Sequence, residues 1–249
     1  MYQQERMDKI MSILGKFRYV TVDYLVEQIR YSPASIRRDL TLLEKQGLVT
    51  RSYGGVTLKN ANASPFRFRQ HSMKVVKNAI CKRAAALVKD NDVVFIDGSS
   101  TVQYMGPFLL NKKGITVITS NMILADLLSE HGIETYCTGG KVVEYPGILG
   151  GQILSDTLAR FNIDIAFFSS KAFDLSGRIL TGGESVSQNH LAFRKHSKKL
   201  AYLCGSDKFD GEGRFVVMTL DGVDYFISDG NVPMRLKQKY PDTTFLSTK

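Results

Sequence analysis

The chain has 249 residues, 43% of them hydrophobic, and carries 33 Lys and Arg against 24 Asp and Glu, a formal net charge of +9. That length allows a small head and a body with its own core, and no apolar run approaches the roughly 18 residues of a membrane span or the h-region of a secretory leader, so a cytoplasmic protein without membrane contact is expected. Cys81, Cys137 and Cys204 stand far apart, odd in number and with no His at ligand spacing, so reduced thiols are the default reading and no metal site is expected.

The charge is uneven along the chain. Residues 1–60 hold ten basic against six acidic side chains, residues 61–80 add four basic and no acid, and residues 81–249 nearly balance at nineteen against eighteen. Charge that serves only solubility spreads more evenly. A basic first third suits a head that neutralises phosphates on a nucleic acid.

The first elements fit that use. From Arg6 to Leu14, Met7, Ile10, Met11 and Leu14 recur at helical spacing. Tyr19 and Val20 form an extended bridge, and Thr21 caps a second helix striped by Val22, Leu25, Val26 and Ile29. A tight turn at Arg30–Tyr31 leads to Ser32, a good N-cap, with Pro33 at the first helical position. In the third helix Ile36, Leu40 and Leu43 share one face, Arg38 and Lys45 fall nearly opposite, and Arg37 and Thr41 flank it. Leu42 projects away from that stripe and is expected against the hairpin that follows. The β-prone run Leu48–Tyr53 and the Gly54-Gly55 turn supply a wing. A basic outer face alone would equally be a solvated surface. Three short helices, a short turn and a wing together make a helix-turn-helix whose last helix reads the major groove. Ser32, Ser35, Arg37, Arg38, Thr41, Lys45, Arg51 and Tyr53 are the expected DNA-binding set, and the partner is a double-stranded operator.

The run Ser35-Ile-Arg-Arg-Asp-Leu40, followed by Leu43-Glu-x-x-Gly47-x-Val49-x-Arg51-x-x-Gly54-Gly55, carries a family resemblance. Residues 5–56 resemble the winged helix-turn-helix of the DeoR family of bacterial transcription regulators. Ser35 stands where that family usually has Thr, which keeps the hydroxyl. Tyr31 stands where it often has Val, and a larger side chain there bears on how the turn seats on phosphates.

Lys59 to Pro65 is small, polar and ends in Pro, which marks a linker. The expected division is a head at 1–58, a linker at 59–72 and a body at 73–249. Phe66 and Phe68 alternate with Arg67 and Arg69, either as a base-stacking strip for single strands or, more commonly, as anchors that pin a linker to a body. Lys74 to Val88 reads as a helix with Val76, Ile80, Ala84 and Leu87 inward.

The body repeats one theme: a short apolar strand ending in small hydroxyl and glycine residues, then a helix. Asp92–Asp97 ends in Gly98-Ser-Ser-Thr101, Ile115–Thr119 in Ser120-Asn121, and Ile133–Cys137 in Thr138-Gly-Gly-Lys141. Ile163–Phe168 ends in Ser169-Ser-Lys171, and Leu200–Cys204 in Gly205-Ser-Asp-Lys208. The fold class expected is α/β, a winged helix-turn-helix followed by a mostly parallel sheet that binds ligand at its carboxyl ends. Asp97, Gly98, Ser99, Ser100 and Thr101 form the best phosphate cradle, with Ser120, Asn121 and Lys208 converging on it. An N-capped turn explains any one of these ends; several together favour a small phosphorylated ligand. Neither a Walker loop nor a spaced Gly-x-Gly-x-x-Gly is present, which disfavours a nucleotide.

From Phe66 to Asp229 the chain also resembles the sensor domain of the same family, whose architecture is similar to ribose-5-phosphate isomerase and which binds sugar phosphates. Asp97-Gly-Ser-Ser-Thr101 matches the family's Asp-Ser-Gly-Thr-Thr with the Gly displaced by one. Gly140, Glu184 and Lys208 fall on family positions and join the effector set. Three positions depart: Lys171 replaces a carboxylate, His190 a Lys, and Gly205 an Asp. Lys171 either supplies the missing cation from another loop, or the pocket takes a different ligand, or it has lost one.

The resemblance implies a repressor of a sugar or carbohydrate operon, controlled by a phosphorylated sugar and assembled as a homo-oligomer, dimer or tetramer, with no cofactor and no catalytic residue. The alternative is a sugar-phosphate isomerase-like enzyme using Asp97 and Glu184 as its acid and base.

Overall fold

The computed structural model describes residues 2–17, 19–52, 55–58, 66–71, 73–144 and 147–248. They divide into two compact units, Met1–Ser72 and Met73–Lys249.

The first unit opens with α1 (Gln3–Phe17), β1 (Tyr19–Thr21), α2 (Val22–Ile29) and α3 (Pro33–Lys45), followed by β2 (Val49–Ser52) and β3 (Gly55–Leu58). The Thr21 hydroxyl accepts the Tyr24 N–H at 3.1 Å and starts α2. Arg30 stops it by entering the left-handed region at φ 55°, with its N–H on the Val26 carbonyl at 2.9 Å. Three residues then separate α2 from α3. The strands pair antiparallel in the order β1-β3-β2. Ile10, Leu14, Leu25, Ile36, Leu40, Leu43 and Val56 fill the core, and Leu42 is half-buried against it. Phe66–His71 is a short helix, α4, and not an alternating strip. Phe66 is fully buried, so it offers no face for stacking a base. Tyr53, Gly54 and residues 59–65 lie outside the described residues.

The second unit begins with α5 (Lys74–Ala85) and β4 (Val93–Ile96). The strand end at Thr101 is followed by a 3₁₀ turn at Val102–Met105 and the short α6 (Gly106–Leu109). After them come β5 (Thr116–Thr119), α7 (Met122–Glu130), β6 (Glu134–Cys137), the hairpin β7 (Lys141–Glu144) with β8 (Ile148–Gly150), and α8 (Gln152–Leu158). Next are β9 (Ile165–Phe168), β10 (Ala172–Phe173), β11 (Arg178–Thr181), α9 (Glu184–His196), β12 (Leu200–Cys204), β13 (Phe215–Thr219), β14 (Tyr225–Ser228), α10 (Met234–Lys239) and β15 (Thr244–Ser247).

Seven strands form one fully parallel sheet in the order β15-β14-β12-β9-β4-β5-β6. Alternation along each strand builds two cores. Phe95, Phe168, Tyr202 and Phe226 face α8, α9 and α10, while Val94, Ile96, Phe167 and Leu203 face α5, α6 and α7. The remaining strands pair antiparallel as β10-β11-β13 and β7-β8. Chain order runs outward from β4 in one direction and from β9 in the other. The winding therefore reverses between them, and the crevice beyond their carboxyl ends is where such sheets bind ligands.

Candidate functional sites

In the first unit α3 presents a polar front. The Ser32 hydroxyl accepts the Ser35 N–H at 3.2 Å and lies 2.9 Å from the Ser35 hydroxyl, which fixes the helix start. Arg37, Arg38 and Lys45 are exposed and Ser35 and Thr41 half-buried. Arg51 of β2 is tied to this helix. Its N–H donates to Glu44 Oε1 at 3.0 Å and its Nη1 to the Thr41 hydroxyl at 2.9 Å, while that hydroxyl donates to the Arg37 carbonyl at 2.9 Å. Helix and wing thus present one basic face. Tyr53 falls outside the described residues. Tyr31 packs under the Arg6 guanidinium, 4.4 Å from its ring centroid.

In the second unit the strand ends meet at Ser169. Its N–H donates to Asp97 Oδ2 at 3.2 Å and its carbonyl faces His190 Nε2 at 3.2 Å. Its hydroxyl donates to the Leu203 carbonyl at 2.6 Å and accepts from Lys208 Nζ at 2.5 Å. Lys208 Nζ also donates to the Thr101 hydroxyl at 3.1 Å. From the other side Lys77 Nζ, buried on α5, donates to the Ser100 hydroxyl at 3.3 Å. Two ammonium groups therefore bracket the Ser100-Thr101 turn. Among the described residues the N–H groups of Ser100 and Thr101 have no acceptor. Donors and cations gathered at the reversal of a parallel sheet can hold a small anion.

Several expected ligand groups are engaged inside the protein instead. Asp97 Oδ1 accepts the Ser99 N–H at 2.8 Å, so both its oxygens brace strand ends. Burial pushes this carboxyl above its usual range, and the facing His190 and the hydrogen bonds from Ser99 and Ser169 hold it down. Asn121 is fully buried; its Oδ1 caps α7 through the Ile123 and Leu124 N–H groups at 3.0 and 3.1 Å, and its Nδ2 reaches the Gly98 carbonyl at 3.4 Å. A Cβ on Gly98 would lie 2.6 Å from Ile148 Cγ2, so the β8 hairpin closes over it. Gly140 has φ +107°, and a Cβ there would meet the Gly150 carbonyl oxygen at 2.5 Å, so a close backbone approach explains this glycine. Glu184 is exposed at the start of α9, without a hydrogen bond or ion pair among the described residues. Lys171 is half-buried at the end of β9 and its side chain runs past Gly182. Ser99 is half-buried and its hydroxyl accepts the Val102 N–H at 3.4 Å; Ser120 is buried, with its carbonyl on the Leu149 N–H at 2.9 Å.

Residues 6–62 match the model of the DeoR-like helix-turn-helix domain and residues 73–230 that of the DeoR C terminal sensor domain. The chain belongs to the DeoR family. It is a DNA-binding transcription regulator, and the curated proteins it is similar to along nearly its whole length are named as regulators or repressors. It is 27% identical over 245 residues to the HTH-type transcriptional regulator GolR of Listeria innocua, covering 97% of this chain and 96% of that one. The HTH-type transcriptional repressor GlcR of Bacillus subtilis is 29% identical over 232 residues, 92% and 89% of the two chains. The glycerol-3-phosphate regulon repressor of Escherichia coli is 24% identical over 244 residues, 97% of each. Among solved structures, ribose 5-phosphate isomerase from Plasmodium falciparum is similar at a TM-score of 0.42 and 17% identity, over 57% of this chain and 55% of that one. No helix among the described residues is long and apolar enough to cross a membrane.

Within this DeoR-family chain three working side chains escaped the sequence-derived sets. Lys77 sits 23 residues before the turn it contacts. Ser169 was read only as part of a strand end. Asp39, inside the Arg-Arg-Asp run, is fully buried and belongs to the head's packing, not its DNA face. Its place three residues after Ile36 and four before Leu43, on the core face of the helix, was the available signal.

Proposed function

We propose that this regulator is a repressor whose grip on a double-stranded operator is changed by a small phosphorylated sugar or a related phosphomonoester. The observation that carries the proposal is the pair of lysines, Lys77 and Lys208, set 3.3 and 3.1 Å from the hydroxyls of two adjacent residues at the strand ends where the sheet reverses. A dianionic phosphate matches two ammonium groups, hydroxyls and open backbone donors better than a neutral polyol does. Ser99, Ser100, Thr101, Ser120 and Lys208 line its seat in this proposal, and Lys171 meets the remainder of the ligand. The name of the glycerol-3-phosphate regulon repressor supports the same ligand class.

On the DNA side, Ser32, Ser35, Arg37, Arg38, Thr41, Lys45, Arg51 and Tyr53 meet the operator. One recognition helix covers one half-site, so the regulator works as a homo-oligomer. It acts without turnover: Asp97 is held by two backbone N–H groups and Glu184 lies exposed, which is not the arrangement of a positioned acid and base.

Calorimetric titration of the full chain with glycerol, pentose and hexose phosphates, each beside its unphosphorylated parent, tests the proposal. Binding confined to phosphorylated members supports it. Equal binding of the unphosphorylated parents refutes it.

A further inference from the structure

Lys77 stands in the first turn of α5, and the second unit begins four residues earlier at Met73. Met73 adopts φ 55°, a left-handed conformation uncommon for a side chain without a local hydrogen bond to stabilise it, and its carbonyl accepts the Lys77 N–H at 2.9 Å. One turn further on, the Cys81 thiol donates to the Thr101 carbonyl at 3.1 Å. α5 therefore touches the candidate anion site at two points: the Ser100 hydroxyl through Lys77 and the Thr101 carbonyl through Cys81. Lys208 reaches the same turn from the end of β12. The two lysines differ in what they are attached to. Lys208 follows a central strand of the sheet, whereas Lys77 belongs to the helix that follows the DNA-binding unit in the chain.

We propose that Lys77 makes the first turn of α5 part of the anion site, so that an occupying phosphate orders the segment through which the body follows the head. The inference rests on the phosphomonoester reading above. An effector changes DNA affinity only by interacting differently with two states of some element. A phosphate at Ser100-Thr101 has its charge shared between Lys208, which holds it to the sheet, and Lys77, which draws in the start of α5. Lys208 mainly sets affinity, and Lys77 sets the response.

Hydrogen–deuterium exchange of the full chain, with inorganic phosphate against sodium chloride at matched ionic strength, tests this. Peptides covering 73–81 and 97–103 slow together in the parent, about tenfold at phosphate ten times its dissociation constant where opening releases the anion. In Lys77→Met, 97–103 still slows at raised phosphate while 73–81 does not, and Lys77→Arg restores the slowing of 73–81. Protection of 97–103 without 73–81 in the parent overturns the inference and leaves the phosphate site standing. Equal slowing of 73–81 in Lys77→Met also overturns it. Protection of neither segment in the parent removes the phosphate reading and the inference with it.

Discussion

The Asp39 carboxylate, inside an otherwise basic run of α3, points inward and is gripped by Arg6 of α1, with Nε at 2.7 Å and Nη2 at 3.2 Å. Gln3 adds a third hydrogen bond at 3.1 Å. The pair fixes the recognition helix against α1 while Arg37 and Arg38, the two residues before it, stay exposed. Asp39 thus sets the orientation in which its basic neighbours are presented.

Removing one partner of a buried pair leaves the other charge uncompensated, which costs about 3–5 kcal/mol. Asp39→Ala is therefore expected to unfold the head at a much lower urea concentration, followed by circular dichroism of the full chain. A shift of the midpoint corresponding to less than about 0.5 kcal/mol would show that the pair is not structural.

On DNA the two kinds of arginine should separate. Arg38→Ala is expected to cost about 1–3 kcal/mol at a selected duplex and to relax its sequence preference, as loss of a base contact does. Arg51→Ala should weaken all duplexes alike and lower the salt slope by about one, as loss of a phosphate contact does. Unchanged affinity in folded Arg37→Ala, Arg38→Ala and Arg51→Ala proteins contradicts the assignment of this face.

Asp97 is expected to behave as a brace. Asp97→Ala strands the Ser99 and Ser169 N–H groups, each worth about 1–3 kcal/mol when left unsatisfied, with part returned because a buried carboxylate is no longer desolvated. Asp97→Asn keeps one acceptor and should lose less. Thermal unfolding measures both. A stable Asp97→Ala protein that no longer binds phosphomonoesters would mark Asp97 as a ligand contact instead.

The acid limb of stability should carry a contribution from Asp164. Its hydrogen bond from Lys198 Nζ at 2.8 Å, and then that from the Val93 N–H at 2.9 Å, hold its pKa below the ordinary carboxylate value. A depressed folded pKa gives stability that is complete above the unfolded value of about 3.9 and lost as pH falls through the folded one. Asp97, raised by burial, acts in the opposite sense and in a higher window: the folded state keeps its proton longer, so stability falls as pH rises from the unfolded value of about 3.9 through its raised folded value. Urea midpoints between about pH 2 and pH 6 should fall less steeply with acid in Asp164→Asn. An identical slope contradicts the role given to Asp164.

Sequence spacing was enough for the head, because Ile36, Leu40 and Leu43 on one side and Arg38 and Lys45 on the other are local consequences of helical geometry. The central strands were legible as apolar runs for the same reason, and so was Lys208 as a residue at a strand end. Partnerships formed across the fold were not. Arg6 meets Asp39 over 33 residues, Lys77 meets Ser100 over 23, and Ile148 covers Gly98 only because the β8 hairpin folds back. Asn121 looked like a ligand group because an N-cap and a polar lining use the same residue type. The short antiparallel strands β10, β11 and β13, and the outer strands β14 and β15, carry no comparable apolar run or went unread beside the strand ends.

Fluorescence anisotropy of a labelled duplex, selected for binding from a random pool and followed through a phosphomonoester titration in the parent and in Lys208→Ala, joins the two sites in one readout. In the parent the effector should shift DNA affinity, and Lys208→Ala should need at least tenfold more of it for the same shift, since a charged hydrogen bond is worth about 1.5–3 kcal/mol, while its DNA affinity without effector stays unchanged. The same shift at the same effector concentration in both proteins would remove Lys208, and the strand-end site with it, from the control of DNA binding.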